Sequence, residues 1–430
     1  MRVLVLGGYG FIGHEVCRRL LQRGHAVVAL GRSAGHGRKV IPDAEWRGVD
    51  IATLTAPAQW APLLDGVEAV VNASGALQDG LRDKLAAVQD HAIRALIAAC
   101  EAGAVRRFVQ ISAPGADAAS DTSFLRTKAM ADGALKASTL EWVLLRPGLV
   151  WGRTAFGGTA LVRMLSAFPV VQPIVLADSR VQMIDIDDVC DAVEAGLESA
   201  AFIRKDVDLL EQDAQTLAQL IARVRAWHGF SPARAEVRVP RLLGALMARA
   251  GDVGGWLGWR TPLRTTSLRS IASGVIGDPS TAQRLSGRQA ASFDEMLRRR
   301  PATRQDRLFA RMQLLLPLIV LGLSAFWIAS GVIGLWQLDD AIAAQGGATG
   351  DLAPTLVIGG AIADIALGLA LLWRPWARAA CFGMIALTTA YLIAGTVLTA
   401  HLWADPLGPF VKTLPAAILA LVCAALLEER

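Results

Sequence analysis

Four long apolar stretches near the C-terminus limit what this chain can become more than any other feature: about Gln313 to Trp336, Pro354 to Trp373, Trp376 to Ala400 and Gly408 to Leu427. Each is close to the ~20 residues that a helix needs to cross hydrocarbon. Backbone N–H and C=O groups in lipid must be satisfied within the segment, so the expectation is four transmembrane helices. Trp327, Trp336, Trp373, Trp376 and Trp403 fall mostly near their ends, where amphipathic rings sit well. Arg298, Arg299, Arg300, Arg304, Arg307 and Arg311 precede the first stretch, and Arg374 and Arg378 separate the second from the third. These cations place those ends in the cytoplasm, whereas the loop Gln337 to Ala353 carries Asp339, Asp340 and Asp351 without Lys or Arg. The protein expected is a multi-pass one of a bacterial-type inner membrane, with both termini cytoplasmic and the lipid bilayer as its partner.

Charged residues are frequent up to about Arg311 and scarce beyond it, which marks a domain boundary. A net charge of +5 raises the question of nucleic acid, but the strongest basic run lies directly before an apolar span and is better explained by the membrane. No nucleic-acid partner is expected. Cys17, Cys100, Cys190, Cys381 and Cys423 are widely spaced, and His14 and His228 are isolated, so neither a metal site nor a disulfide framework is indicated.

At the other end, Val3 to Leu6 read as a buried parallel strand, followed by Gly7-Gly8-Tyr9-Gly10-Phe11-Ile12-Gly13 and a helical pattern to Leu21. Glycines let such a turn fold tightly against a pyrophosphate, which the amide groups of the helix start at Phe11 and Ile12 would meet. The next strand, His25 to Leu30, arrives at the spacing of a βαβ unit and favours a nucleotide site over a glycine turn without a ligand. That strand ends in Gly31-Arg32-Ser33 instead of the acidic residue that binds the ribose 2′-hydroxyl of NAD. A cation there favours a 2′-phosphate, hence NADP(H) over NAD(H); the alternative is that Arg32 is a solvated loop residue.

Several segments together resemble the short-chain dehydrogenase/reductase superfamily, especially its extended and atypical branches, which include the nucleotide-binding accessory subunit of respiratory complex I. They are the glycine turn, Val49-Asp50-Ile51, Val70-Val71-Asn72-Ala73-Ser74-Gly75, Phe108 to Ala113, Leu145-Arg146-Pro147-Gly148 and Ile184 to Val189. The resemblance implies an α/β Rossmann domain with a parallel sheet, with Asp50 and Ile51 at the adenine and Ala73, Ser74 and Gly75 against the cofactor. It also implies domains at 1–150 (nucleotide core) and 151–300 (substrate part), ahead of a membrane domain at 301–430. The family's reaction usually uses a Tyr four residues before a Lys, the Lys holding the nicotinamide ribose and lowering the Tyr pKa. Here Lys128 is in place, Ser112 matches the catalytic Ser, and Phe124 stands where the Tyr should be. The chain's two tyrosines, Tyr9 and Tyr391, lie elsewhere, and Thr122 and Ser123 merely adjoin Phe124.

Three readings follow: an oxidoreductase acting on an apolar or membrane-borne substrate (quinone, isoprenoid or lipid), a non-catalytic NADP(H)-binding or redox-sensing module, and a sugar-nucleotide epimerase or dehydratase. The membrane part is similar to the DoxX-like family, and Gly322, Gly331, Gly334, Gly359, Gly360 and Gly368 would allow close helix packing. Asp364 falls near the middle of the second span, with Ser324, Thr388 and Thr389 at similar depth as expected partners. Leu242 to Trp259, with Arg241, Arg249 and Arg260 alongside, has the composition of either an interfacial or a core helix.

Overall fold

The computed structural model describes the chain except for residues 77–78, 81–83, 260, 262, 344–349, 405, 407 and 429–430. Arg260 and part of the acidic loop Gln337 to Ala353 therefore lie outside the described residues. The chain divides into two compact units, Met1–Val253 with Thr261–Arg307, and Gly254–Arg260 with Leu308–Arg430.

In the first unit the elements alternate as β1 (Arg2–Leu6), α1 (Phe11–Gln22), β2 (Ala26–Gly31), α2 (Ala34–Val40), β3 (Glu45–Gly48), β4 (Ala69–Asn72), α3 (Ala92–Ala102), β5 (Arg107–Ile111), α4 (Ser123–Ala137) and β6 (Glu141–Pro147). There follow α5 (Gly157–Ser166), α6 (Ile186–Glu198), β7 (Lys205–Leu209), α7 (Leu217–Trp227) and α8 (Arg241–Trp256, whose residues from Gly254 on belong to the second unit). The seven strands form one parallel sheet in the order β7-β6-β5-β4-β1-β2-β3. Successive β1 side chains point to opposite faces, so Val3 and Val5 join Val16, Leu20 and Val189 on one side. Leu4 and Leu6 join Trp60, Leu96 and Phe108 on the other. Both faces are covered, which is why these strands are continuously apolar. The strand order reverses between β1 and β4, and in open parallel sheets of this kind ligands bind at such a switch point, beyond the strands' C-terminal ends.

A separate cluster, with Trp151, Met183, Leu220, Val224 and Phe293, forms the core of the part that follows β6. His228 is packed here, fully buried; its Nδ1 lies 2.9 Å from Ser166 Oγ, and burial pushes its pKa down to about 4. It is a neutral packing residue. The arginine run before the first span is not uniformly a membrane flank. Arg300 instead binds Asp185 and Asp187, both at 2.5 Å, and its carbonyl accepts from Trp227 Nε1. Asp185 is fully buried, so its charge requires that partner.

The second unit holds α9 (Arg304–Trp336, whose first turn belongs to the first unit), α10 (Ala353–Leu372), α11 (Arg374–Leu398) and α12 (Pro409–Leu426). Three of these helices are long and apolar enough to cross a membrane. The fourth stretch forms a shorter helix of 18 residues, about 27 Å at 1.5 Å per residue, because the chain turns at Gly408 in a left-handed conformation. Antiparallel α9 and α10 approach closely through glycine. A Cβ on Gly331 would lie 2.3 Å from the Ala361 carbonyl oxygen, and one on Gly368 3.0 Å from that of Ser324.

Candidate functional site

The glycine turn joins β1 to α1 at the switch point. Gly7 has φ +71°, which a side chain would disfavour, and a Cβ there would meet the Ala73 carbonyl oxygen at 3.0 Å. A Cβ on Gly13 would sit 2.2 Å from the Gly7 carbonyl oxygen, while Gly10 N–H donates to that same oxygen at 2.8 Å. The turn thus folds onto the start of α1 with no room to spare. The first turn of α1 has no capping side chain and no acidic residue, so the amides at Phe11 and Ile12 present positive partial charge to an anion. This cradle fits a dinucleotide pyrophosphate.

Tyr9, within the turn, ties it to the end of β2. Its hydroxyl accepts from Ser33 N–H at 3.3 Å, and its ring stacks on Trp46 at 5.7 Å and meets His36 edge-on at 5.1 Å. Ser33 Oγ caps α2 by accepting from His36 N–H at 3.2 Å, and Arg32 beside it is exposed. Asp50 accepts from Ala52 N–H at 3.1 Å and closes its own turn, and Ile51 packs on the sheet's core. Sequence reasoning missed the part played by Tyr9, although its hydroxyl and ring lie within the motif itself.

Lys128 of α4 is buried between the ends of β4 and β5. Its Nζ donates to the Ile111 carbonyl oxygen at 2.7 Å and reaches that of Ser74 at 3.5 Å; a Cβ on Gly75 would lie 3.5 Å from it. Burial pulls its pKa down to about 8, opposed by the charge of Asp132, so it is largely protonated at neutral pH. Gly7, Ala73, Ser74, Gly75 and Lys128 are therefore brought together. Ser112 is close by but differently engaged: its hydroxyl donates to Asp132 Oδ2 at 2.5 Å, and Asp132 in turn lies 3.1 Å from Arg146. Burial raises the Asp132 carboxyl pKa, against the hydrogen bond from Ser112 and the charges of Arg146 and Lys128. A hydroxyl donating to Asp132 cannot simultaneously donate to a substrate, though its oxygen can accept.

Phe124 lies one turn before Lys128 on α4 and is half-buried. Of its neighbours, Thr122 caps α4 by accepting from Leu125 N–H, and Ser123 Oγ accepts from Arg126. Asp132 and Gln89 are two buried polar residues near Lys128 that the sequence did not single out. Gln89 lies in a π-helical turn, Ala87–His91, donates to the Ala76 carbonyl at 2.6 Å and accepts from Thr127 at 2.8 Å. The spacing of Asp132 four residues after Lys128 was the available signal. Among the described residues, no His, Cys, Asp and Glu cluster could hold a metal.

In the second unit, Asp364 of α10 is buried, but its partners differ from those expected. Its carboxylate accepts from Ser330 Oγ at 2.8 Å and from the Tyr391 hydroxyl at 3.0 Å. Ser324 donates instead to the Gly368 carbonyl at 2.7 Å, and Thr389 to that of Ile385. With Ser324 level with Gly368, antiparallel packing brings Asp364 opposite a residue further along α9. Counting depth inward from the helix ends placed the three helices in the wrong mutual register.

Comparison with known proteins agrees with this geometry. Residues 7–162 match an NAD(P)H-binding family and residues 324–421 the DoxX-like family. The 2-alkyl-3-oxoalkanoate reductase of Stenotrophomonas maltophilia is 32% identical over 35% of this chain and 52% of its own length. The ceramide reductase of Caulobacter vibrioides is 26% identical over 47% of this chain and 65% of its own. The chain thus spans only about half to two thirds of those two relatives. Among solved structures, the UDP-glucose 4-epimerase of Thermotoga maritima superposes with a TM-score of 0.52 at 17% identity, covering 69% of this chain and 96% of that one. The NAD complex of WbmG from Bordetella bronchiseptica gives 0.53, also at 17% identity, over 69% and 92%. The first unit is an NAD(P)-binding Rossmann domain of the short-chain dehydrogenase/reductase type. In this chain it is joined to a C-terminal DoxX-like domain, which makes the whole a membrane protein.

Proposed function

We propose that the protein is a membrane-anchored, NADP(H)-dependent reductase of a carbonyl group on an apolar, membrane-borne substrate: a quinone, an isoprenoid or a lipid ketone. The observation that carries this reading is the buried, charged Lys128 at the cofactor crevice of a chain that also builds a lipid-embedded unit. The bound cofactor would supply a hydride, added to the carbonyl carbon of a ketone or taken up as two electrons and a proton at the oxygens of a quinone. Gly7, Gly10 and Gly13 with the amides of Phe11 and Ile12 would hold its pyrophosphate, Arg32 and Ser33 its 2′-phosphate, and Asp50 and Ile51 its adenine. Ala73, Ser74, Gly75 and Lys128 would hold the nicotinamide end, and Ser112 would accept a hydrogen bond there. The proton for the carbonyl oxygen comes from water or from Lys128. The two reductases named above support the substrate class, since both are named for substrates bearing alkyl chains. In this reading the nucleotide unit and both termini are cytoplasmic, on the side marked by Arg374 and Arg378.

The carbon-only ring of Phe124 favours a second reading, in which NADP(H) is held for structure or redox sensing without turnover. Purification in mild detergent, identification of the co-purifying nucleotide, assay of its reduced form against quinones and lipid ketones, and incubation of its oxidised form with a UDP-sugar separate the readings. Oxidation by the apolar carbonyls alone is the expected result. Conversion of the UDP-sugar would replace it with epimerase chemistry, and a bound nucleotide that nothing oxidises would leave the binding module.

The preference for NADP(H) rests on Arg32. Arg32→Asp is expected to reverse it, because a carboxylate accepts from the 2′-hydroxyl of NAD and repels a 2′-phosphate. Equal wild-type affinity for NADPH and NADH by calorimetry would remove the assignment. Separately from the Lys128 site, Asp364, with Ser330 and Tyr391, is proposed to bind or protonate a redox headgroup such as a quinone or its quinol within the membrane. Asp364→Asn keeps the shape but cannot ionise, and should weaken binding of a short-chain quinol, whose hydroxyl donates to the carboxylate, at least tenfold, in line with the ~1.5–3 kcal/mol of a charge-assisted hydrogen bond. Affinity equal to wild type from mildly acidic to mildly basic pH would make Asp364 a packing residue.

A further inference from the structure

Helix α8 is built with its apolar side chains reversed. The residues it turns toward the first unit are small: a Cβ on Gly244 would lie 2.5 Å from Val175, Ala248 is buried, and a Cβ on Gly251 would lie 2.0 Å from the Leu263 carbonyl oxygen. Asp252, on the same side, accepts from Arg264 and Thr265. The large apolar residues point outward. Leu242 is 73% exposed, Val253 60% and Trp256 70%, and Leu243, Leu246 and Met247 are each about half exposed. A soluble domain rarely leaves so many large side chains in one strip unless something covers them.

The end of this helix shows what covers it. Residues Gly254–Arg260 belong to the membrane unit. There Trp259 Nε1 donates to the Leu372 carbonyl at 2.7 Å, and Arg374 N–H donates to the Leu257 carbonyl at 2.9 Å. The Arg374 guanidinium lies over the Trp259 ring at 5.7 Å. Leu372 and Arg374 flank the turn between α10 and α11, where two apolar helices end and cations begin. The segment 254–259 that ends and follows α8 is thus hydrogen-bonded to the turn where two apolar helices end. An exposed cation suits the level of the lipid headgroups: Arg249, within the apolar strip, has a stem long enough to carry its charge sideways to phosphate.

We propose that α8 lies in the headgroup layer of an anionic bilayer, with Leu242, Leu246, Val253 and Trp256 among the upper acyl chains and Arg249 at the phosphates. It is a monotopic membrane attachment additional to the spanning helices, and it does not depend on any catalytic activity.

The test uses the full chain in nanodiscs of phosphatidylcholine and phosphatidylglycerol, with a nitroxide on Leu246→Cys. The five native cysteines are buried and do not compete for the label. Met247→Cys serves as a second site, and Ala118→Cys, exposed on the first unit, as the aqueous control. The ratio of collisions with oxygen to collisions with a water-soluble nickel chelate should be severalfold higher at 246 and 247 than at 118. Nickel accessibility at 246 and 247 equal to that at 118 would overturn the proposal. So would spin–spin broadening that grows with the number of chains per disc, which would show a second copy on this face.

Discussion

Phe124→Tyr is expected to raise the rate of carbonyl reduction on the order of 100-fold, the lower end of what a positioned general acid typically contributes. The variant places a phenol one helical turn before Lys128, whose buried ammonium is already held by the Ile111 carbonyl and lies beside Gly75. That charge would lower the phenol pKa, the one component the site lacks. Thr122 continues to cap α4, so the helix start should be undisturbed. Phe124→Ala should leave nucleotide affinity nearly unchanged. Steady-state oxidation of NADPH with a short-chain quinone, alongside calorimetry, checks both. A brisk wild type slowed by the tyrosine would mean that the proton travels by another route, and Ser112 with Asp132 would be the place to look.

Gly13→Ala is expected to cost roughly 100-fold in nucleotide affinity. The added methyl would meet the Gly7 carbonyl oxygen at 2.2 Å, and that oxygen belongs to backbone, so the turn itself must move. Overpacking of this kind costs about 1–3 kcal/mol, and about 2.7 kcal/mol corresponds to 100-fold. Because the change lies in the first unit, the membrane unit should fold as before, and extraction and monodispersity in detergent should match wild type. Calorimetric titration with NADPH gives the answer. Undiminished affinity in a folded variant would move the pyrophosphate off this turn and undo the cofactor assignments of Gly7, Gly10 and Gly13 together.

The parts of the fold that were legible in the sequence are those dictated by local chemistry. Val3 to Leu6 read as a strand buried on both faces, the glycines after it as a tight turn, and the long apolar stretches as helices. Lys128 was legible because its surroundings repeat a family pattern. Asp132 and Gln89 were not, because a polar residue on a helix ordinarily belongs to its solvated face. Only the close approach of α4 to the ends of β4 and β5 buries Asp132, and only an irregular turn aims Gln89 at Ala76. Arg300 misled by its company: five neighbouring arginines suggest a membrane flank, while its own carboxylate partners lie more than a hundred residues earlier. Tyr391 was set aside as too distant to replace a catalytic tyrosine, and it proved instead to be a partner of Asp364.

The outward-facing strip of α8 also bears on how the protein is made. Synthesis proceeds from the N-terminus, so the ribosome completes Trp256 before it reaches Trp336 at the end of α9. At about 5–20 residues per second, those eighty residues leave an interval of roughly 4–16 s. During that time leucines, a methionine and a tryptophan face water with no spanning helix yet inserted. A nascent chain in this state is a substrate for holding chaperones and for aggregation. Delivery of the ribosome to the membrane early, before the apolar spans emerge, would shorten that exposure and let the bilayer receive α8 as it forms.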